Sequence, residues 1–162
     1  MDMIKYLLDR GIKHIVFEQK LKTAMIIQNT HNLGIECVSV LDARSAVYYA
    51  TGIAAQSKEK VVVIISAANS RSAFSGMTEA FYRKLPVVLI TLGEVFDYSR
   101  ELRDVIKKHY IFTENEKIGN ILIDDGPIHI ELLGSPKIDT PERKYMSFLE
   151  KLENLVEENQ YL

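Results

Sequence analysis

The chain has 162 residues, of which 47% are hydrophobic and 26% charged, a balance that fits one globular domain with one core. Its formal net charge of -2 gives no electrostatic reason to expect binding to nucleic acid or to an anionic membrane. Cys37 is the single cysteine, which excludes an internal disulfide. The amino-terminal residues are acidic and amphipathic, unlike a signal peptide, and no apolar run reaches the roughly 20 residues of a membrane span. We therefore expect a cytoplasmic protein without membrane attachment.

Strand and helix patterns alternate through the first half of the chain. The predicted elements are a helix over 4–8, a strand over 14–17, a helix over 20–31, a strand over 37–41 and a helix from 42 to about 56. Gly11 is placed to end the first helix. Asp42 is placed to begin the third helix, because its carboxylate can accept hydrogen bonds from the free amides of the first turn.

The second half continues the alternation. The predicted elements are a strand over 61–65, a small polar loop over 66–72, a helix over 74–83, a strand over 87–91, helices over 98–108 and 116–123, a strand over 128–133 and a charged helix over 141–158. The run VVVII at 61–65 is apolar without alternation, which indicates burial on both faces of a parallel sheet.

This rhythm predicts an α/β fold, a doubly wound and mostly parallel six-stranded sheet with helices on both faces and an additional C-terminal helix. We expect one domain over residues 1–135, followed by a linker and helix over 136–162. Ligands of such sheets bind beyond the carboxyl ends of the strands. Those ends are predicted near residues 17–18, 41–43, 66–72 and 92–96.

Most motifs that would specify a reaction are missing from the sequence. It contains no GxGxxG, no GxxxxGK[ST] and no GxSxG motif. The four histidines show no metal-ligand spacing, and His129 is interpreted as a packed residue of a buried strand. The loop over 66–72 could bind an anion through backbone amides at a helix start, or could simply connect a strand to a helix through capping serines.

Three segments carry a resemblance to a known family. They are LDARSAVYYATGIAAQSKEKVVVII at 41–65, SRSAFSGMTEAFYRKLPVVLIT at 70–91 and DGPIHIEL at 125–132. In this order the three segments resemble the pyrimidine-binding domain of thiamin-diphosphate-dependent decarboxylases and carboligases, over roughly residues 3–135. Within that family the three segments resemble the menaquinone-pathway carboligase and related proteins of surface-polysaccharide pathways. The resemblance implies thiamin diphosphate with magnesium as the cofactor.

The resemblance also implies where the cofactor would bind. Ala43, Ser66, Ala67, Ala68 and Asn69 match positions that line the pyrimidine pocket in the family. The family's catalytic glutamate, which bonds the pyrimidine N1′, is replaced here by Ala43. Asp42 is adjacent and is a weak catalytic candidate, although an N-cap is the favoured interpretation. The sequence therefore assigns no catalytic residue and no metal ligand.

Two further departures concern the loops around that pocket. The glycine that the family carries after the strand at 61–65 is Ser66 here, and the Pro-Gly turn after the first strand is replaced by residues 18–21. Glycine permits backbone conformations and close approaches that these residues do not. Arg71 and Glu79 match positions that support the fold or contact a second subunit.

Three functional hypotheses follow. In the first, the chain is the pyrimidine-domain subunit of a split enzyme that decarboxylates or ligates a 2-oxo acid. The resemblance implies that such a subunit needs a separate diphosphate-domain subunit, in a homodimer or an α2β2 assembly. In the second, a pyrimidine-type domain without the glutamate has a structural or regulatory role. In the third, an unrelated flavodoxin-like domain binds an anion at residues 66–72.

Overall fold

The structure is a computed structural model that describes residues 9–19, 34–93, 101–113 and 126–133. Six strands lie in these ranges: β1 (His14–Glu18), β2 (Glu36–Val40), β3 (Val61–Ser66), β4 (Val87–Gly93), β5 (Lys108–Thr113) and β6 (Ile128–Leu133). Two α-helices accompany them, α1 (Ala43–Ser57) and α2 (Ser70–Tyr82), together with 3₁₀ turns over Ala67–Asn69 and Arg103–Val105.

The strands form one sheet in the order β2-β1-β3-β4-β6-β5, and every neighbouring pair is parallel. This confirms the predicted six-stranded parallel sheet. The chain runs outward from β1 to β2 and then returns across β1 to β3, so the strand order reverses between β1 and β3. A reversal of this kind opens a crevice at the carboxyl ends of the two strands.

The sheet is buried on both faces around β3. Val61, Val63 and Ile65 form a buried cluster with residues of α1 and α2, and Val62 and Ile64 on the opposite face are also buried. Burial on both faces is what the unalternating apolar sequence of this strand predicted. Strand β3 therefore lies at the centre of the core.

Helices α1 and α2 approach each other closely at Gly76. A Cβ atom at that position would lie 2.6 Å from Val47 Cγ1, so the crossing requires a residue without a side chain. Helix α1 ends at Ser57 and is capped by Lys58, which adopts a left-handed conformation with φ of 60° and donates its N–H to the Ala54 carbonyl. Helix α2 begins at Ser70, four residues before its predicted start.

The predicted helix over 98–108 is wrong in its described part. Residues 103–105 form a single 3₁₀ turn, and β5 begins at Lys108. Helical spacing is present at Leu102, Val105 and Ile106. Their side chains are buried, but the segment that carries them forms a short turn and not a helix. The aromatic and β-branched residues of the segment that follows favour a strand, which supplies the sixth strand of the sheet.

The other predicted helices, over 4–8, 20–31, 116–123 and 141–158, lie outside the described residues, as does the predicted domain boundary at 135. Among the residues that the structure describes, none of the helices is long and apolar enough to cross a membrane.

Candidate functional site

A polar cluster lies at the reversal of strand order. Strand β1 ends at Glu18, and the neighbouring β3 ends at Ser66, where the 3₁₀ turn Ala67–Asn69 begins. We call Glu18, Ser66 and Asn69 the crevice cluster. Its position is the one at which open α/β sheets bind their ligands.

Glu18 connects the two strand ends. The Ser66 backbone N–H donates to Glu18 Oε2 at 2.8 Å, and the Asn69 side-chain amide donates to Glu18 Oε1. Hydrogen bonds to a carboxylate are stronger than those between neutral groups, and this one spans 48 residues of chain. From the sequence, Glu18 is predicted only to lie at a strand end, and no role is assigned to it. An acidic residue that directly follows the buried HIVF segment was the available signal.

Four of the five predicted cofactor-binding residues lie in one segment at this cluster, from Ser66 to Asn69. Ser66 and Asn69 are partly buried, Ala67 is buried, and Ala68 is exposed. A Cβ atom added at Gly93 would lie 2.7 Å from the Ala67 Cβ, so the turn packs directly on the end of β4. The predicted pocket loop is therefore held in place from two sides, by Glu18 and by β4.

Ala43, the position of the family's glutamate, is the first residue of α1. Only 2% of it is exposed, and its methyl group belongs to the apolar core. Helix α1 follows β2, whose last residue pairs with Glu18. Ala43 therefore lies near the carboxyl ends of the strands, as the crevice cluster does. A methyl group has no exchangeable proton, so Ala43 cannot do the proton transfer that a glutamate at this position would allow.

Asp42 is the N-cap of α1, as predicted. Its Oδ1 accepts from the Ser45 backbone N–H at 2.9 Å, and its Oδ2 accepts from the Ser45 hydroxyl at 2.7 Å. The hydrogen bond from the Ser45 backbone, followed by the one from the Ser45 side chain, holds the pKa of Asp42 below its ordinary value. Both carboxylate oxygens of Asp42 therefore accept hydrogen bonds from the first turn of α1.

The two residues predicted to support the fold or a subunit contact both form ion pairs. Arg71 Nε lies 2.6 Å from Glu101 Oε1, and the Arg83 guanidinium donates to Glu79 Oε1 at 3.0 Å. The first pair joins α2 to the segment that precedes β5. The second lies within one helix face and is exposed, a kind of pair that stabilises a protein little.

A second polar cluster, which we call the edge cluster, lies on β5 and β6 and consists of His109, His129 and Glu131. His109 Nε2 is 3.0 Å from Glu131 Oε1, and the His109 and His129 rings stack with centroids 5.1 Å apart. His129 is 1% exposed, which confirms its predicted burial. Burial, and secondarily the charge of His109, lowers the pKa of His129 to about 3. Sequence spacing did not reveal this edge cluster because its members come from two strands.

The comparison with protein families identifies the fold. The family described as "Thiamine pyrophosphate enzyme, N-terminal TPP binding domain" matches residues 2–114, and the chain belongs to this family. The predicted resemblance to the pyrimidine-binding domain is thereby confirmed.

Curated relatives and solved structures agree with this assignment. The chain is 32% identical over 84 residues to 2-succinyl-5-enolpyruvyl-6-hydroxy-3-cyclohexene-1-carboxylate synthase of Flavobacterium psychrophilum, covering 51% of the chain and 15% of that protein. It is 24% identical over 146 residues to the enzyme of the same name from Flavobacterium johnsoniae, covering 75% of the chain and 26% of that protein. The chain therefore spans about a quarter or less of these relatives.

Among solved structures, the chain resembles a thiamine diphosphate-dependent 4-hydroxybenzoylformate decarboxylase of Rhodococcus jostii, with a TM-score of 0.59 and 14% identity. It also resembles benzoylformate decarboxylase from Polynucleobacter necessarius, with a TM-score of 0.57 and 15% identity. These matches cover 82% and 84% of the chain and 31% of each solved chain. At such identities they show a shared fold.

Proposed function

We propose that this chain is the pyrimidine-domain subunit of a split thiamin-diphosphate enzyme that decarboxylates or ligates a 2-oxo acid together with a separate diphosphate-domain subunit. Family membership supports the cofactor class. The observation that carries the proposal is the crevice cluster, because it places polar groups and small apolar side chains at the strand reversal where this fold binds ligands.

The residues of this crevice fit an aminopyrimidine ring. Such a ring is flat and apolar on its faces, while its edge carries nitrogen acceptors and an amino donor. The exposed methyl group of Ala68 is small enough to lie against a ring face. The Asn69 amide can donate to a ring nitrogen, and the Glu18 carboxylate can accept from the amino group. Both groups are now paired with each other, so the ring would compete for them.

Magnesium and the diphosphate would be held elsewhere. Mg²⁺ is bound octahedrally by carboxylate, carbonyl, phosphate and water oxygens. Of the described residues at the crevice, Glu18 is the carboxylate, and both of its oxygens already accept hydrogen bonds. A second polypeptide would supply the metal ligands, so the cofactor would lie between two subunits.

The cofactor supplies the carbanion-stabilising chemistry of the reaction. The residues of this chain would orient its ring and exclude water from it. Ala43 cannot take part in a proton transfer, because a methyl group has no exchangeable proton. Among the described residues, the acidic group at the crevice is the carboxylate of Glu18.

Large exposed side chains on α1 and α2 support association with another subunit. Tyr48 and Tyr49 on α1 and Phe74 and Tyr82 on α2 are each at least 43% exposed. Aromatic residues are enriched at protein interfaces because they bury a large area. We expect Phe74→Ser to weaken self-association or assembly with the partner, as measured by sedimentation velocity.

Titration calorimetry with thiamin diphosphate and Mg²⁺ tests the proposal. We would titrate the full chain alone, and then mixed with a separately expressed diphosphate-domain protein of the same organism. The proposal expects binding in the mixture, and turnover of a 2-oxo acid by the complex. No binding in either sample would contradict it.

Two variants sharpen this experiment. Asn69→Ala removes a crevice donor, so we expect it to weaken cofactor binding by the mixture. Gln56→Ala is the matched control, because this exposed carboxamide lies in the last turn of α1, at the opposite end of the helix from Ala43. A complex that binds the cofactor without turnover, but gains turnover with Ala43→Glu, would instead favour a non-catalytic role for the natural chain.

A further inference from the structure

We propose that His109, His129 and Glu131 form a binding site for a divalent transition cation of the zinc type at the β5–β6 edge of the sheet. The inference does not depend on thiamin diphosphate, since the edge cluster lies on different strands from the crevice cluster.

The sheet register brings the three side chains to one place. His109 and His129 are direct partners on β5 and β6, and Glu131 follows His129 by two residues on the same face of its strand. One potential ligand atom from each residue lies within 4.8 Å of the others. The parallel register of β5 and β6 therefore places the three side chains together.

The spacing suits a small cation after a limited contraction. Zinc bonds of about 2.0–2.1 Å in a tetrahedral arrangement place neighbouring ligand atoms about 3.3 Å apart. Here Glu131 Oε1 is 3.0 Å from His109 Nε2 and 3.8 Å from His129 Nδ1. The two rings stack at an interplanar angle of 24°, so His109 must rotate for both nitrogens to point at one ion. Its side chain is 21% exposed, which leaves room for that rotation.

His129 provides the second, independent observation. Its Nδ1 is buried and has no hydrogen-bond partner in the part of the chain that the structure describes. The 3.8 Å contact with Glu131 is too long to be a hydrogen bond. The other ring nitrogen, Nε2, lies 2.9 Å from Thr91 Oγ1. A proton on Nε2, donated to Thr91, leaves the Nδ1 lone pair directed at the cluster, which is the arrangement of a metal-ligating histidine.

The donor set decides which cations fit. Two imidazole nitrogens and one carboxylate oxygen suit Zn²⁺ or Co²⁺, whereas Mg²⁺ and Ca²⁺ take oxygen ligands. Glu131 supplies a negative charge next to the cation, and it is 7% exposed at its side chain. Three protein ligands leave a fourth position for water or another small ligand.

Cobalt titration of the full chain, without an affinity tag, tests the site. We expect saturable 1:1 binding with the visible absorption bands of tetrahedral Co²⁺, and loss of those bands when Zn²⁺ is added. His109→Ala and Glu131→Gln should each weaken Co²⁺ binding about tenfold or more. Both changes lie beside the buried His129 rather than at it, and circular dichroism would verify that each variant is folded.

His14→Ala is the matched control. This histidine also contacts two carboxylates, with Nδ1 3.2 Å from Glu36 Oε2 and Nε2 3.0 Å from Glu59 Oε2, but no second histidine joins it among the described residues. We expect its Co²⁺ affinity to equal that of the unmodified chain. The proposal is overturned if the unmodified chain gives no saturable binding, if folded His109→Ala binds Co²⁺ equally well, or if His14→Ala abolishes binding.

Discussion

The crevice cluster and the edge cluster are both built on parallel strands, but their polar atoms are satisfied differently. At the crevice, each oxygen of Glu18 accepts a hydrogen bond from the loop after β3. At the edge, the Nδ1 atom of buried His129 has no partner among the described residues. The first cluster is complete as a structural link, whereas the second has an unmatched buried acceptor.

A buried polar group in a sheet can therefore be paired within the protein or left without a partner until a ligand binds. A paired carboxylate can hold two strand ends together without any ligand, and a ligand must then displace an existing bond. An unpaired buried nitrogen costs free energy until something binds it. We therefore expect the crevice cluster to contribute to the stability of the free chain, and the edge cluster to gain stability from an added ligand.

The largest expected effect is at the centre of the edge cluster. His129→Ala leaves a cavity against β4 and removes the partner of Thr91 Oγ1, so we expect a loss of about 3 kcal/mol in the free energy of unfolding. Urea denaturation in the presence of EDTA measures this contribution without any metal. His14→Ala, at a more exposed site, should cost less. Equal losses of unfolding free energy in the two variants would mean that burial does not determine how much His129 contributes to stability.

The next effect concerns the packing beneath the crevice. Gly93→Ala places a Cβ atom 2.7 Å from the Ala67 Cβ, an overlap that the turn must relieve by moving. Overpacking of this kind costs about 2 kcal/mol. Thermal denaturation measures the loss, and adding Ala67→Gly to the same chain should restore most of it, because it removes the atom that clashes. A double variant as unstable as Gly93→Ala alone would contradict the close contact.

A smaller effect tests the link that Glu18 makes. Glu18→Ala leaves the Ser66 N–H and the Asn69 amide without their acceptor, at a cost of about 1.5 kcal/mol for partly buried groups. Glu18→Gln keeps the shape and one acceptor, but its amide nitrogen faces one of the two donors. We expect its unfolding free energy to lie between those of Glu18→Ala and the natural chain. An unfolding free energy for Glu18→Ala equal to that of the natural chain would show that the crevice bonds are not structural.

The strands of this fold are more predictable from the sequence than its polar clusters are. The apolar segments at β1, β3, β4 and β6 reveal themselves because burial on both faces demands continuous apolar residues. Strand β5 did not, because its sequence KHYIFT is mixed and follows residues with helical spacing. An edge strand needs less burial, so its pattern is weaker.

The contacts within the site depend on tertiary structure. A loop was predicted over 66–72 because one segment carries all of it, and the structure shortens it to 66–69, since α2 begins at Ser70. The Glu18 link spans 48 residues, and the pairing of His109 with His129 depends on the register of β5 and β6. The spacing of residues along the chain predicts neither of these two contacts. Asp42 was interpreted correctly because an N-cap is a local feature whose donors lie within three residues.

The smallest expected effect is at that cap, next to Ala43 and the crevice. Asp42→Ala removes the acceptor for the Ser45 N–H and should lower the melting temperature by a few degrees, whereas Asp42→Asn retains an acceptor and most of the stability.

The hydrogen bonds from Ser45 hold the pKa of Asp42 below its ordinary value of 3.8. The charged cap therefore contributes fully above pH 3.8, and its contribution is lost as the pH falls through the lowered pKa. The difference in melting temperature between the natural chain and Asp42→Ala should shrink over that acidic range, while the difference between Asp42→Asn and Asp42→Ala stays constant. A gap between the natural chain and Asp42→Ala that does not change with pH would show that the charge of Asp42 does not strengthen the cap, and that the carboxylate beside Ala43 is structurally replaceable by an amide.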